Sequence, residues 1–191
     1  MEIVDLKRLH THVWETRKKI EMNFATPQPD DALRFAVTEA AEVLDAVLRQ
    51  NPIYTRNHVK TVEMEREAAQ VAVMLLTALE EDFDWDHERV GKSWPYWVTS
   101  YKTAVGNGYR GTAVDWVVSL TADALQEQLW SQAKQEWEDP WQGEFCILQV
   151  LVALGETGVE VEAAVEQELK RMEDKYGMVP DSDVSPLASH S

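Results

Sequence analysis

An all-α helical bundle is the fold class that the sequence predicts. Apolar residues recur at helical spacing over nearly the whole chain, and no stretch shows a convincing strand alternation. Glycine and proline are scarce, at 8 and 7 of 191 residues, so the chain has few points at which to break a helix. With 45% hydrophobic residues there is enough apolar material for one buried core. We expect a single domain over residues 1–177. The remaining stretch, residues 178–191, is polar and aperiodic and is expected to be a disordered tail.

The elements follow in order. A first helix is predicted from about Asp5 to Asn23, with Leu6, Leu9, Val13 and Ile20 as its apolar stripe. ATPQPDD is a loop, and Asp30 or Asp31 is placed to cap a second helix over Ala32 to Arg49. NPIYTRNH breaks that helix, and a third runs from about Val59 to Glu81. A fourth helical stretch begins near Asp84, carries Trp94 and Trp97, and meets Pro95, where a bend is expected. VGNGYRG is the clearest turn. Helices are then predicted for Thr112 to Glu136, Glu144 to Gly155 and Val161 to Tyr176, with Gly177 as the final stop. "VMLLTALEEDFDWDHERV" and "LQVLVALGETGVEVEAAV" give a faint internal echo, about 1–92 against 93–177. A degenerate tandem duplication would explain it, and so would the chance likeness of two amphipathic helix pairs.

Charge and composition exclude several functions. A net charge of −16 opposes a nucleic-acid surface, which needs Lys/Arg patches facing phosphates. The same acid excess suits divalent-cation binding, and it suits plain solubility equally well. No run of about 18 apolar residues is present, so no membrane span is expected. MEIVDLKRLH lacks an apolar signal core, and the one cysteine, Cys146, allows no intrachain disulfide. A reducing cytoplasm is the expected compartment.

The stretch TEAAEVLDAV sets carboxylates among alanines, valines and leucines. On a helical wheel Val37, Ala41, Leu44 and Leu48 make one apolar stripe of the second helix. Phe35, Glu39, Glu42, Val43 and Ala46 fall on another side, with the two glutamates three residues apart and projecting together. The third helix repeats the arrangement: Ala68, Ala72, Leu75 and Leu79 form a stripe, while Glu63, Glu67, Gln70, Val71 and Met74 share a narrow arc. If the two surfaces meet, Glu39, Glu42 and Glu67 converge with Gln70 or Glu63. Two carboxylates about 4 Å apart repel by roughly 4 kcal/mol at an effective dielectric near 20. Mg²⁺, with Mn²⁺ as its substitute, is the usual resolution, being a hard ion that takes carboxylate oxygens. A lone E-x-x-E is more often simply solvated; a second acidic pair on the next helix is what raises the metal reading.

E39-A-A-E42, followed after 24 residues by E67-A-A-Q70, resembles the E-x-x-E…E-x-x-D signature of the MazG-like all-α nucleoside triphosphate pyrophosphohydrolases, whose relatives include the dimeric dUTPases. VEAAVEQELKRMEDKYG looks like that family's last helix. The resemblance covers about residues 5–82 and 144–177, and the tryptophan-rich segment between is longer than a minimal member needs. Two departures stand out: Thr38 precedes the first ligand where the family often has glutamate, and Gln70 stands where it has aspartate. Glu63 or Asp45 would have to compensate for that lost charge.

The resemblance implies cleavage of a nucleoside triphosphate between the α- and β-phosphates, Mg²⁺-dependent, serving nucleotide-pool control, in a homodimer. It implies Glu39 and Glu42 as metal ligands and Glu67 as ligand or general base. Cations for the phosphates would come from Lys18, Arg56, Lys60, Lys170, Arg171 and Lys175, with Arg171, Lys175 and Tyr176 favoured because they lie in the matching last helix. Trp14, Asn23 and Phe24 are its candidates for a base pocket, although Trp14 suits a core position as well. The competing reading is a nucleotide-binding or partner-binding protein that kept the scaffold and lost catalysis, and Gln70 favours it. His10 and His12 read as surface residues, and the tryptophans from Trp85 to Trp141 as core or interface.

Overall fold

The computed structural model describes residues 3–50, 61–106, 110–134 and 141–177. Among these residues there are seven helices and no strand, so the fold is all-α. The helices are α1 (Ile3–Ile20), α2 (Pro29–Gln50), α3 (Thr61–Ala78), α4 (Glu88–Gly106), α5 (Arg110–Lys134), α6 (Trp141–Gly155) and α7 (Val161–Tyr176). The expected tail, the NPIYTRNH break, residues 107–109 of the VGNGYRG turn and the phosphate candidates Arg56 and Lys60 lie outside the described residues.

Local chemistry accounts for most boundaries. The second helix starts at Pro29, three residues before the predicted start, so Asp30 and Asp31 occupy its first turn rather than its cap. Proline suits a first helical position because its missing N–H has no intrahelical partner there. Both aspartates favour the positive end of the helix dipole, and Arg34 holds them at 2.7 and 2.5 Å. α4 begins at Glu88 and carries Pro95 in its interior. Between α6 and α7 the chain turns through Gly158, whose φ of +89° is one that side-chain-bearing residues rarely adopt.

The core is built around two hairpins, α2/α3 and α5/α6, which pack through α2 on α5 and α3 on α6. α3 is buried on nearly every side: Ala68, Ala69, Val71, Ala72, Val73, Leu75 and Leu76 are all inaccessible. α1 and α7 cover its outer flank, and α4 lies against α5 and α6. α1 and α7 run parallel, clasped by a ladder in which Arg8 meets Glu162 and Glu166, His12 Nδ1 lies 2.7 Å from Glu166, and Lys19 lies 2.8 Å from Glu173. No helix among the described residues is long and apolar enough to cross a membrane.

The apolar stripe of α2 is rotated from the predicted one. Leu33, Ala36, Ala40 and Val43 face the core, whereas Ala41, Leu48 and Phe35 face solvent. Burying alanines lets the neighbouring helix backbones approach closely, and the larger residues stay at the edges. His10 also departs from its surface reading, being buried at the α1–α3 contact. Its Nδ1 accepts from the Trp85 indole N–H at 3.1 Å, so the ring proton sits on Nε2, which donates to the Leu79 carbonyl at 2.9 Å. Burial pushes its pKa down, consistent with a neutral imidazole.

A candidate metal centre between α2 and α3

Glu39 and Glu42 leave α2 on one face because three residues advance a helix by nearly one turn. Glu67 leaves α3 opposite them. One oxygen from each of the three lies within 4.8 Å of the other two. Glu39 and Glu67 are half-buried and Glu42 is exposed, so the cluster sits at a mouth and not in the core. The Glu39 carboxyl is pushed up to about 7, chiefly by burial, then by a hydrogen bond and the charge of Glu67, then by Glu42; the Arg66 charge opposes this. Three carboxylate oxygens form a hard donor set suited to Mg²⁺ or Mn²⁺, and a bound cation would relieve the repulsion that raises Glu39.

Two spaces adjoin the cluster. Toward the α2 C-terminus is an open trough of about 400 Å³ lined by Glu42, Asp45, Arg49, Arg66 and Glu67. Asp45 pairs with Arg49 there. In the other direction is a narrower cavity of about 120 Å³ that Glu39 and Gln70 share with Glu168 and Tyr176. The alignment of Glu39 with Gln70 and of Arg49 with Arg66 makes α2 and α3 antiparallel. Phe24 and Tyr176 stack with ring centres 4.6 Å apart in the cavity wall, and Asn23 Nδ2 donates to the Tyr176 carbonyl at 2.7 Å.

The other sequence-predicted residues divide sharply. Gln70 lines the same cavity as Glu39, and its Nε2 donates to Glu168 Oε1 at 3.2 Å. Arg171 holds the second oxygen of Glu168 at 2.8 Å, and the Lys175 ammonium lies 4.8 Å from the centre of the Tyr176 ring. Arg171, Lys175 and Tyr176 therefore belong to the cavity side of the site. Trp14 and Lys18 do not. The Trp14 indole donates to the Leu79 carbonyl, and Lys18 pairs with Glu81. Those partners lie 12 and 14 residues beyond Glu67, past the C-terminal end of α3. The Glu63 side chain lies outside the described residues, so its compensating role has no geometry here.

Three residues near the cluster escaped the sequence reading. Arg49 and Arg66 line the trough beside the cluster; Arg66 stands between Glu65 and Glu67 and Arg49 pairs with Asp45 one turn earlier, so both read as ordinary helix-surface ion-pair partners. Glu168 had a legible signal: Val161, Val165 and Met172 form the buried stripe of α7, and a glutamate stands at the i+3 position within it. Arg17 is a further surprise. It is fully buried, stacks 5.6 Å over Phe24, donates through Nε to Thr77 Oγ1 at 3.3 Å, and leaves its NH1 group without a partner. Burial lowers its pKa to about 10.

The chain matches no protein-family model, no curated protein and no solved structure. The class that the structure defines is therefore an all-α protein with a three-carboxylate cluster between two core helices.

Proposed function

We propose that the protein is a Mg²⁺-dependent nucleoside triphosphate pyrophosphohydrolase, which cleaves a (d)NTP to the monophosphate and pyrophosphate. The observation that carries this reading is the convergence of Glu39, Glu42 and Glu67 beside a trough with two arginines and a cavity with stacked aromatics. A triphosphate needs all three: a cation site, phosphate donors and a slot for the base. The resemblance of E39-A-A-E42…E67-A-A-Q70 to the MazG-like signature supports the same reaction.

In this reading Glu39 and Glu42 hold the cation, and Glu67 is a ligand or the base that takes a proton from the attacking water. When bound, Mg²⁺ supplies charge neutralisation at the phosphate oxygens. Arg66 and Arg49 contact the β- and γ-phosphates in the trough, as planar guanidiniums suited to paired oxygens. The base enters the cavity past Glu39. A homodimer and a cytoplasmic setting remain part of the proposal.

Gln70 favours a second reading, a nucleotide-binding protein without catalysis, because its amide adds no charge and turns to Glu168. The two separate in one experiment. The protein is incubated with a panel of NTPs and dNTPs plus Mg²⁺ or Mn²⁺, and pyrophosphate and orthophosphate are scored separately, with Glu42→Ala as control. Pyrophosphate from wild type and not from the control supports hydrolysis. Nucleotide binding without product supports the second reading.

A further inference from the structure

We propose that Arg17 is a ligand-binding residue of the cavity beside Glu39: its guanidinium donates to the acceptor edge of the bound nucleobase, and Met74 is the side chain that moves aside to admit it. The inference rests on the reading of the site as a nucleotide site and adds a contact that this reading leaves out.

Arg17 carries a charge that the fold alone does not explain. Its side chain is fully buried, and burial lowers its pKa only to about 10, so the group is charged at neutral pH. Among the described residues no carboxylate pairs with it. Its donors are poorly used. Nε reaches Thr77 Oγ1 at 3.3 Å, and NH2 reaches Met74 Sδ at 3.5 Å, a weak thioether acceptor. Both partners are on α3, so the Nε/NH2 edge of the guanidinium faces that helix. NH1, at the opposite corner, has no partner. A buried cation in this state costs stability that an apolar chain of similar length would recover. Function is where chains retain such a cost.

The neighbours of the guanidinium locate the ligand. Phe24, whose ring centre lies 5.6 Å from the guanidinium carbon, and Met74 both line the cavity that Glu39 shares with Gln70, Glu168 and Tyr176. Arg17 therefore stands behind the cavity wall, against two of the side chains that form it. The cavity holds about 120 Å³, below the roughly 300 Å³ at which ligand pockets begin, so a base enters only as the wall gives. Met74 is the part suited to give, being half-buried, unbranched and free to change rotamer. Its withdrawal exchanges a thioether sulfur at NH2 for a base oxygen or ring nitrogen. A weak contact then becomes a charge-assisted hydrogen bond. Every nucleobase presents a carbonyl or ring-nitrogen acceptor, so this contact strengthens binding of all bases and by itself selects none.

The test uses binding, not turnover. α,β-Imido analogues of CTP, UTP, ATP and GTP are titrated calorimetrically into the full chain with Mg²⁺ present, beside inorganic tripolyphosphate as a probe without a base. At least one analogue should bind more tightly than tripolyphosphate. Arg17→Met, its fold followed by circular dichroism, should weaken that analogue about 10- to 100-fold, the range for hydrogen bonds to a charged group. Tripolyphosphate, which does not reach the cavity, should change by less than about twofold. In the wild type, the nitrogen NMR resonances of the Arg17 guanidinium should shift with the analogue and stay in place with tripolyphosphate; this readout needs no variant to fold. Unchanged analogue affinity in folded Arg17→Met, or guanidinium resonances that ignore the analogue, would overturn the inference and leave the nucleotide reading standing. Equal losses for analogue and tripolyphosphate would overturn it too, by making Arg17 a support of the fold. So would analogues that bind no more tightly than tripolyphosphate. Binding of neither analogue nor tripolyphosphate would overturn both.

Discussion

Cation binding at the cluster should depend on pH because of Glu39. Its carboxyl is raised to about 7 in the metal-free protein, so a proton and a divalent cation compete for the same oxygens. For one competing proton the apparent affinity falls by a factor of 1 + 10^(pKa − pH). With a pKa of about 7 that factor is about 11 at pH 6 and about 1.1 at pH 8. Mg²⁺ or Mn²⁺ should therefore bind about tenfold more weakly at pH 6 than at pH 8, a difference of about 1.4 kcal/mol. Titration calorimetry in two buffers of different ionisation enthalpy would read both the affinity and the proton released. Glu39→Gln removes the titrating group, and its residual binding should be weaker and flat across this range. Metal affinity that is equal at the two pH values, in a wild type that does bind, would refute the reasoning.

The same group has a signature without metal. Its folded pKa lies above the unfolded value, so the native state binds more protons between about 4.5 and 7 and stability falls as pH rises through that window. Partial exposure screens the effect to on the order of 1 kcal/mol. Added Mg²⁺ should restore that stability at pH 8 in thermal melts.

Three further residues test the surrounding fold. Arg17→Met exchanges a buried guanidinium with an unpartnered NH1 for an apolar chain of similar length, and should leave the urea midpoint unchanged or raise it, by up to about 3 kcal/mol in stability. His10 is held neutral by burial, so stability should decline as pH falls below about 6.5, where the unfolded imidazole takes a proton that the folded one refuses; His10→Ala should lose about 2 kcal/mol, since the Trp85 indole N–H is orphaned. Leu151→Ala, in the fully buried part of α6, should cost about 3 kcal/mol in chemical denaturation.

The fold was legible where large apolar residues mark one face. Leu6, Leu9, Val13 and Ile20 of α1, Ala68, Ala72 and Leu75 of α3, and Leu79 just past its end are buried as their spacing predicts. α2 misled because a hydrophobicity wheel weights Leu44 and Leu48 above Ala36 and Ala40, whereas close helix approach favours the alanines. The convergence of Glu39, Glu42 and Glu67 was legible because i,i+3 spacing and apolar flanks both survive in one dimension. What lies across the cavity was not. Glu168 reaches Gln70 from 98 residues away, and Arg17 is buried by Phe24, Thr77 and Met74 together, which no local pattern announces. Lys18 and Trp14 meet Glu81 and Leu79 past the end of α3, a placement set by the antiparallel packing of α1 on α3 and not by any local pattern.

The central claim, that three glutamates from two antiparallel helices hold one divalent cation, is most directly tested by anomalous diffraction from crystals soaked in Mn²⁺. A peak bonded to oxygens of Glu39, Glu42 and Glu67, and lost in Glu42→Ala crystals of the same form, is the predicted result. A Mn²⁺-soaked crystal with those carboxylates ordered and no peak among them would contradict it.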